Sequence, residues 1–444
     1  MNVLILTNHL VELCGSEIQV LEIYKYFKER DHNILVYANI LGDPIIEYFD
    51  KNDLITNLEQ INLENINFIW SQHCMIARLF QNQIHKNVDL KLISVHLSPY
   101  EMMELCSLPY MKLLDCIYVA NSKETKDKLI SLGIESNNIF ISSNCAPSKY
   151  LDNSIKETKL NNILVVSNHL PQEMIAATNI LSKDFNVNTI GGKKAVLVTP
   201  ELIKQYDMII TIGKTVQYGL LSNIPVYCYD HFGGPGFLNF ENYEVAKYYN
   251  FSGRGFEKKT AEEIVLEIRE NFQFSVDFFN KFSKKSDFIL EYFMDNLFLQ
   301  NKKCILTKKK QQLLLPFVPF EKKIAELYSL MKKEQHYTSY LLLEMVKLNT
   351  ELNSKEEKLT KFFKELYFTK EKLIKFSKEL YFTKEKLTNF SKELYLANEK
   401  INYKESKIIK LQKEKQKLKR KLKKIQIIFL LALTMLLVSI YKLI

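Results

Sequence analysis

The chain has 444 residues, more than one compact core holds and enough for two or three domains. Hydrophobic residues make up 47%, which sets disorder aside, and 12 Gly with 10 Pro exclude collagen-like and Pro-rich classes. The net charge of +10 is local: residues 1–320 hold 32 Lys and Arg against 36 Asp and Glu, while residues 321–424 hold 28 against 15. The part before the basic segment therefore carries no field for gathering nucleic acid. Seven cysteines, odd in number and without a CxxC spacing, argue against a disulfide framework or zinc knuckle and for a reducing compartment. The eight histidines show no HExxH or HxxxH pairing, so little supports a metal site.

The opening MNVLILTNHL has no charged n-region and soon meets Glu12 and Glu17, which predicts a first strand and not a signal peptide. Short apolar runs follow at Val3–Leu6, Ile34–Tyr37, Phe68–Trp70, Leu92–Val95, Ile117–Val119 and Ile139–Ile141. Helical patterns such as Glu17–Arg30 and Lys123–Leu132 lie between them. This alternation predicts a doubly wound α/β domain over 1–143. Residues 144–161 lose the pattern and read as a linker. It restarts at Ile163–Val166 and runs through Val187–Ile190, Ala195–Val198, Met208–Ile212 and Val226–Tyr229, a second Rossmann-like α/β domain over 162–300. Residues 275–299 read as one long aromatic-rich helix, and 301–320 as a second linker.

From 321 to 424 the pattern changes to a coiled-coil stalk. The 14-residue units FFKELYFTKEKLIK, FSKELYFTKEKLTN and FSKELYLANEKINY follow one another from 362 to 403. Fourteen residues are two heptads, and a seam with 3–4 spacing runs from Leu341 to Ile401. A single charged helix or a compact hairpin bundle is the other reading. Tyr367-Phe368 and Tyr381-Phe382 fall off the seam. The tail, 425–444, holds the uncharged run Ile425–Tyr441 behind Lys419-Arg420-Lys421-Leu422-Lys423-Lys424. About 25 Å of helix fits the short end of a bilayer core, and flanking cations mark the cytoplasmic side. That predicts a C-terminal transmembrane anchor with the preceding domains in the cytoplasm; a buried globular helix is the alternative.

Chemistry is expected where strands turn into helices. The first strand runs into Leu13-Cys14-Gly15-Ser16-Glu17, and a glycine there lets backbone N–H groups approach an anion. In the second domain, Met208–Ile212 is followed by Gly213-Lys214-Thr215-Val216-Gln217-Tyr218, and Val226–Tyr229 by Asp230-His231-Phe232-Gly233-Gly234. Both turns belong at one crevice of a parallel sheet. Lys214 and Arg254 are candidate phosphate cations. No complete Walker A or GxGxxG is present.

Residues 1–300 resemble the retaining GT-B glycosyltransferases of family four. The likeness lies in VLILTNHLVELCGSEIQVLEIYKYFKERDHNILVYA, SVHLSPYE, ANSKETKDKLISLGI and MIITIGKTVQYGLLSNIPVYCYDHFGGPG. It is greatest to a variant group of cell-surface polysaccharide transferases with GKTVQY and YDHFGGPG. The resemblance implies two facing Rossmann-like domains, a nucleotide-sugar donor and no metal. It implies that His96 contacts the transferred sugar and that Gly15 and Ser16 approach the donor diphosphate. Donor contacts are then expected from Gly213, Lys214, Thr215, Gln217, Tyr218, Gly233, Gly234 and Arg254. Three departures stand out, the first that Cys14 stands where a glycine is usual. Tyr218 occupies the position of the family's nucleotide-side glutamate, and SNHLPQE (167–173) lacks the usual Arg/Lys pair. Either Lys214 and Arg254 take over the diphosphate role, or the domain has lost activity.

The expected function is a membrane-tethered hexosyltransferase, acting from a nucleotide sugar on a cell-surface glycan or lipid-linked acceptor, without cofactor. The stalk is expected to form a homo-oligomer, and no nucleic-acid partner is expected. The alternatives are a non-catalytic scaffold or chain-length ruler and, more weakly, a sugar-nucleotide epimerase.

Overall fold

The structure is a computed structural model that describes residues 1–73, 75–81, 87–155, 159–192, 195–332, 334, 356–399, 417 and 420–421. It divides into two units, Met1–Ser354 and Lys355–Ile444.

The first sheet of the larger unit contains β1 (Asn2–Leu10), β2 (Asn33–Leu41), β3 (Leu54–Ile55), β4 (Phe68–Gln72), β5 (Val88–His96), β6 (Ile117–Ala120) and β7 (Ile139–Ile141). The second contains β8 (Asn162–Val166), β9 (Asn186–Ile190), β10 (Met208–Thr211), β11 (Val226–Asp230) and β12 (Gly233–Phe237). A last strand, β13 (Cys304–Leu306), pairs antiparallel with the start of β5. The first sheet has the order β3-β2-β1-β4-β5-β6-β7, all parallel. The second has the order β12-β11-β10-β8-β9, parallel except for the β11–β12 hairpin. Both orders reverse direction at the first strand of their half, between β1 and β4 and between β8 and β10. Open parallel sheets bind ligands outside the carboxyl ends of the strands at such points.

Core strands are buried on both faces because helices cover both. Leu4, Leu6 and Leu92 face one apolar layer and Val3, Ile5 and Ile93 the other. In the second sheet, Ile209, Val226 and Cys228 face the layer that holds the Lys214–Leu221 helix, while Ile210 and Tyr227 face the Ala261–Lys281 helix. Two expectations need correction. Ala195–Val198 forms no strand: Ala195 and Leu197 pack on the first domain's core while Val198 enters the second domain's core. The apolar run serves as a contact between domains. Residues 275–299 form no single helix either. The Ala261–Lys281 helix stops and Leu290–Phe298 begins afresh, because Ile289 forms a β-bridge with Ala146 where the chain crosses back to the first domain.

Cys14, Cys116, Cys145, Cys228 and Cys304 are free, while Cys106 is disulfide-bonded. A full set of reduced thiols is therefore not what the structure holds; sequence spacing is blind to a pair made by folding.

Residues 318–332 are helical. They include the start of the segment read as stalk and dock on the first domain: Tyr110 Oη donates to the buried Glu321, and Lys332 Nζ lies 2.9 Å from Glu12. In the second unit Glu356–Glu399 is one 44-residue helix. There the seam residues Thr369, Leu373, Phe376, Leu380, Thr383 and Leu387 are half-buried, and Phe368, Ile374, Tyr381 and Phe382 are exposed. The stalk residues 335–355 and 400–416, and the anchor segment 425–441, lie outside the described residues. Among the described residues, no helix is long and apolar enough to cross a membrane.

Candidate functional site

The carboxyl ends of the two sheets face each other. Asn168, after β8, donates to Cys14 Sγ after β1 at 3.2 Å. Tyr248 Oη donates to Asp127 at 3.1 Å, and Arg254 pairs with Glu124. The structure sorts the expected site residues into four groups around this junction.

Lys214, Gln217 and Tyr218 share one face of the Lys214–Leu221 helix, as spacings of three and four require. All three are buried. Lys214 Nζ ion-pairs with Glu22 of the Gly15–Lys28 helix and donates to the carbonyls of Asn144 and Cys145. Gln217 Nε2 donates to the Ser143 carbonyl at 3.1 Å. Tyr218 Oη donates to Glu22 Oε1 at 2.6 Å, and its ring stacks on Tyr150 at 4.1 Å. Burial pushes the Glu22 carboxyl up, opposed by Lys214. Glu22, which sequence reading missed, thus ties the two domains together at their linker. Thr215 is buried beside them.

Arg254 forms the second group. Its Nε donates to Glu124 Oε1 at 3.2 Å, and Tyr100 Oη donates to the same oxygen at 2.9 Å. The guanidinium lies 5.5 Å from the Tyr100 ring and 5.7 Å from the Phe232 ring. Both rings are exposed, at 63% and 46%. A guanidinium within reach of two aromatic rings gains cation–π attraction beside its carboxylate partner.

The glycines divide in an informative way. Gly15 and Gly213 alone among the chain's twelve glycines have nothing within 4 Å of where a Cβ would sit. Gly213 has φ 58° and ψ −128°, a conformation that a side chain strains. Gly233 and Gly234 are different: a Cβ there would meet Glu257 O at 2.3 Å and Cys228 O at 2.1 Å. Their glycine identity is accounted for by backbone packing, of Gly234 inside the hairpin and of Gly233 against Phe256 and Glu257. Gly15 and Gly213 each open a helix at a strand's carboxyl end, where open space and a helix N-terminus suit an anion, although Gly213 N–H itself donates to Phe251 O.

The fourth group is buried under the first sheet's crest. His96 is 1% exposed. Its Nδ1–H donates to the Glu104 carbonyl, so Nε2 is the acceptor and takes the Ser94 hydroxyl at 2.9 Å. Neither nitrogen is left for a sugar, and burial pulls the imidazole down to about 4. His73 Nδ1 accepts the Asn8 N–H at 3.2 Å, which puts its proton on Nε2, 3.7 Å from Glu104 Oε1. His9 stacks on His73 at 5.1 Å and faces Glu17 at 3.9 Å. Burial raises Glu104 to about 8 and Glu17 to about 7, and lowers His9 to about 4. Ser16 Oγ donates to Glu17 at 3.2 Å. His9, Glu17, His73 and Glu104 come from separate elements, and no local spacing announces them. Among the described residues, no cluster of His, Cys, Asp and Glu could hold a metal ion.

No family model and no curated protein matches the chain. Solved structures similar to it include Anabaena HepE in complex with UDP and glucose, at 12% identity and a TM-score of 0.44, covering 67% of this chain and 98% of that one. Another is the lipopolysaccharide outer core galactosyltransferase WaaB, at 10% identity and a TM-score of 0.39, covering 67% and 98%. A third is S. aureus MnaA with UDP, at 13% identity and a TM-score of 0.41, covering 67% and 95%. All three TM-scores lie below 0.5, and the functional reading rests on the chain's own residues.

Proposed function

We propose that residues 1–300 form a GT-B glycosyltransferase that transfers a sugar from a nucleotide sugar to a cell-surface glycan or lipid-linked acceptor, with retention. The single observation that carries this reading is the pair of open glycine turns, Gly15 and Gly213, on facing sheet crests. Transfer needs the leaving diphosphate neutralised and the acceptor hydroxyl positioned with water excluded. The Gly213 turn and the Lys214–Leu221 helix N-terminus supply donors for the diphosphate, and Arg254 supplies charge by exchanging Glu124 for phosphate. Gly15 and Ser16 close the site from the other domain. Lys214 enters the same role only if Glu22 lets it go. His96 acts in this reading by holding the loop that carries Tyr100 through its bond to Glu104.

Residues 425–444 are proposed to anchor the chain at the inner face of the cytoplasmic membrane, and the stalk to self-associate. Deleting 425–444 should move the protein to the soluble fraction with nucleotide binding intact; retention in the membrane places the anchor elsewhere.

One observation favours the second reading, a scaffold without catalysis: Lys214 and Arg254 are both already paired with carboxylates. A screen of nucleotide sugars for thermal stabilisation, followed by assays of transfer or hydrolysis, separates the two. Binding with turnover supports the transferase. Binding without turnover, or none, supports the scaffold.

A further inference from the structure

Asp230 ends β11 and is 7% exposed. Its Oδ2 lies 3.2 Å from His231 Nδ1, while Oδ1 is buried with no hydrogen-bond partner. A buried carboxylate oxygen without a donor is costly, and its retention calls for an explanation.

Its position supplies one. β10 and β11 are parallel neighbours with Thr211 paired to Cys228, so Gly213 and Asp230 each stand two positions beyond that pair, at one level of the sheet's crest. Alternation along β11 points Asp230 to the face of Val226 and Cys228, which carries the Lys214–Leu221 helix. The Phe251–Arg254 loop lies at the same place: Gly213 N–H donates to Phe251 O, and a Cβ on Gly253 would lie 3.8 Å from Asp230 N. Nucleotides are held by a strand, an open glycine turn, a helix and a second strand that ends in an acidic residue about twenty positions further on. The turn takes phosphate and the carboxylate takes ribose hydroxyls. The interval from Gly213 to Asp230 is close to that spacing.

We propose that Asp230 binds the ribose hydroxyls of the donor nucleotide, with Oδ1 accepting from the diol, so that a ribonucleoside diphosphate spans from the Gly213 turn to the end of β11. This rests on the nucleotide-sugar reading and assigns the carboxylate that the helix lacks at Tyr218. His231, which holds the other oxygen, is 56% exposed by side chain, so it can turn aside without disturbing the core.

The test titrates the full-length chain with ribonucleoside diphosphates, their 2′,3′-dideoxy counterparts and inorganic pyrophosphate. The wild type should favour the best ribonucleotide over its dideoxy form by about tenfold or more, the loss expected when a charged acceptor loses its donor. Asp230→Ala should abolish that preference and leave pyrophosphate affinity unchanged. Asp230→Ser, with a polar side chain for His231, carries the same comparison if the alanine variant does not fold. Equal binding of ribo and dideoxy forms to the wild type, or a preference that survives both substitutions, overturns the Asp230 assignment alone. No nucleotide binding by the folded wild type overturns the nucleotide-sugar reading and this assignment with it.

Discussion

The crests of the two sheets begin from the same strand-turn-helix pattern and end in opposite states. In the first domain, polar groups close on one another: His96 on Ser94 and Glu104, His73 on Asn8, Glu17 on Ser16. In the second, a glycine turn in a conformation that other residues avoid stands open and a buried carboxylate oxygen has no partner. A satisfied buried network rigidifies, whereas an unsatisfied buried group on the same crest as an open turn is where a ligand completes the protein. The first crest thus serves mainly as a wall, although its Gly15 turn is open and Gln72 Oε1 has no partner, and the second as a socket.

The join between them should be the easiest part to break. Glu22→Ala strands the Lys214 ammonium in a buried place, and removing one partner of a buried pair costs about 3–5 kcal/mol. Urea unfolding should show that loss, and Glu22→Leu with Lys214→Met should recover most of it. A loss under about 1 kcal/mol for Glu22→Ala means the junction does not depend on this pair.

Glycine substitutions sharpen the contrast. Gly234→Ala drives a methyl group against the Cys228 carbonyl, at the upper end of overpacking costs, about 3 kcal/mol. Gly213→Ala meets no atom and suffers only its backbone conformation, about 1–3 kcal/mol. Gly15→Ala should stay within about 0.5 kcal/mol, yet weaken anion binding by crowding the open turn. Equal destabilisation at 15, 213 and 234 contradicts the division into open and packed glycines.

His96→Ala tests the first crest as a wall. Turnover should fall because the loop carrying Tyr100 loosens, while a bare nucleoside diphosphate binds nearly as before. Wild-type turnover in this variant removes His96 from the reaction.

The last effect is on pH. Glu104, Glu17 and Glu321 are raised by burial to about 8, 7 and 7, so the folded chain holds more protons than the unfolded chain from the ordinary carboxylate range up to those values. Their contribution is present at low pH and lost as pH rises through 7 to 8. His9 and His96, lowered to about 4, act oppositely but are neutral in both states above about 6.5. Stability should therefore fall between pH 6.5 and 8, by about 1.4 kcal/mol per pH unit for each of these carboxyls that is still protonated in the folded chain. Glu104→Gln should flatten the upper part of that fall; an unchanged profile places its titration elsewhere.

Most strands were legible because both faces of a parallel sheet are apolar, which makes Val3–Leu6 or Ile163–Val166 stand out as runs. β3 is two residues long, β12 is glycine-rich and β13 borrows its stability from β5, so none carries such a run. The break in residues 275–299 was hidden because its cause, the Ala146–Ile289 bridge, joins positions far apart in the chain. Of the site, Gly15, Gly213 and Arg254 were visible through turn chemistry. Glu22 and Glu124 were not, because their partners lie in the other domain. Asp230 stood in view beside two glycines; counting from Gly213 to the next strand's end would have singled it out.

The central claim is that the second crest holds a donor's diphosphate. Calorimetric titration of the full-length chain with the nucleotide sugar found by thermal-shift screening tests it most directly, comparing wild type with Gly213→Ala and Arg254→Ala. Each substitution should weaken affinity about tenfold or more, as expected for losing charge-assisted or backbone phosphate contacts. A nucleotide sugar that binds both variants as tightly as the wild type, or the absence of any that binds, contradicts it.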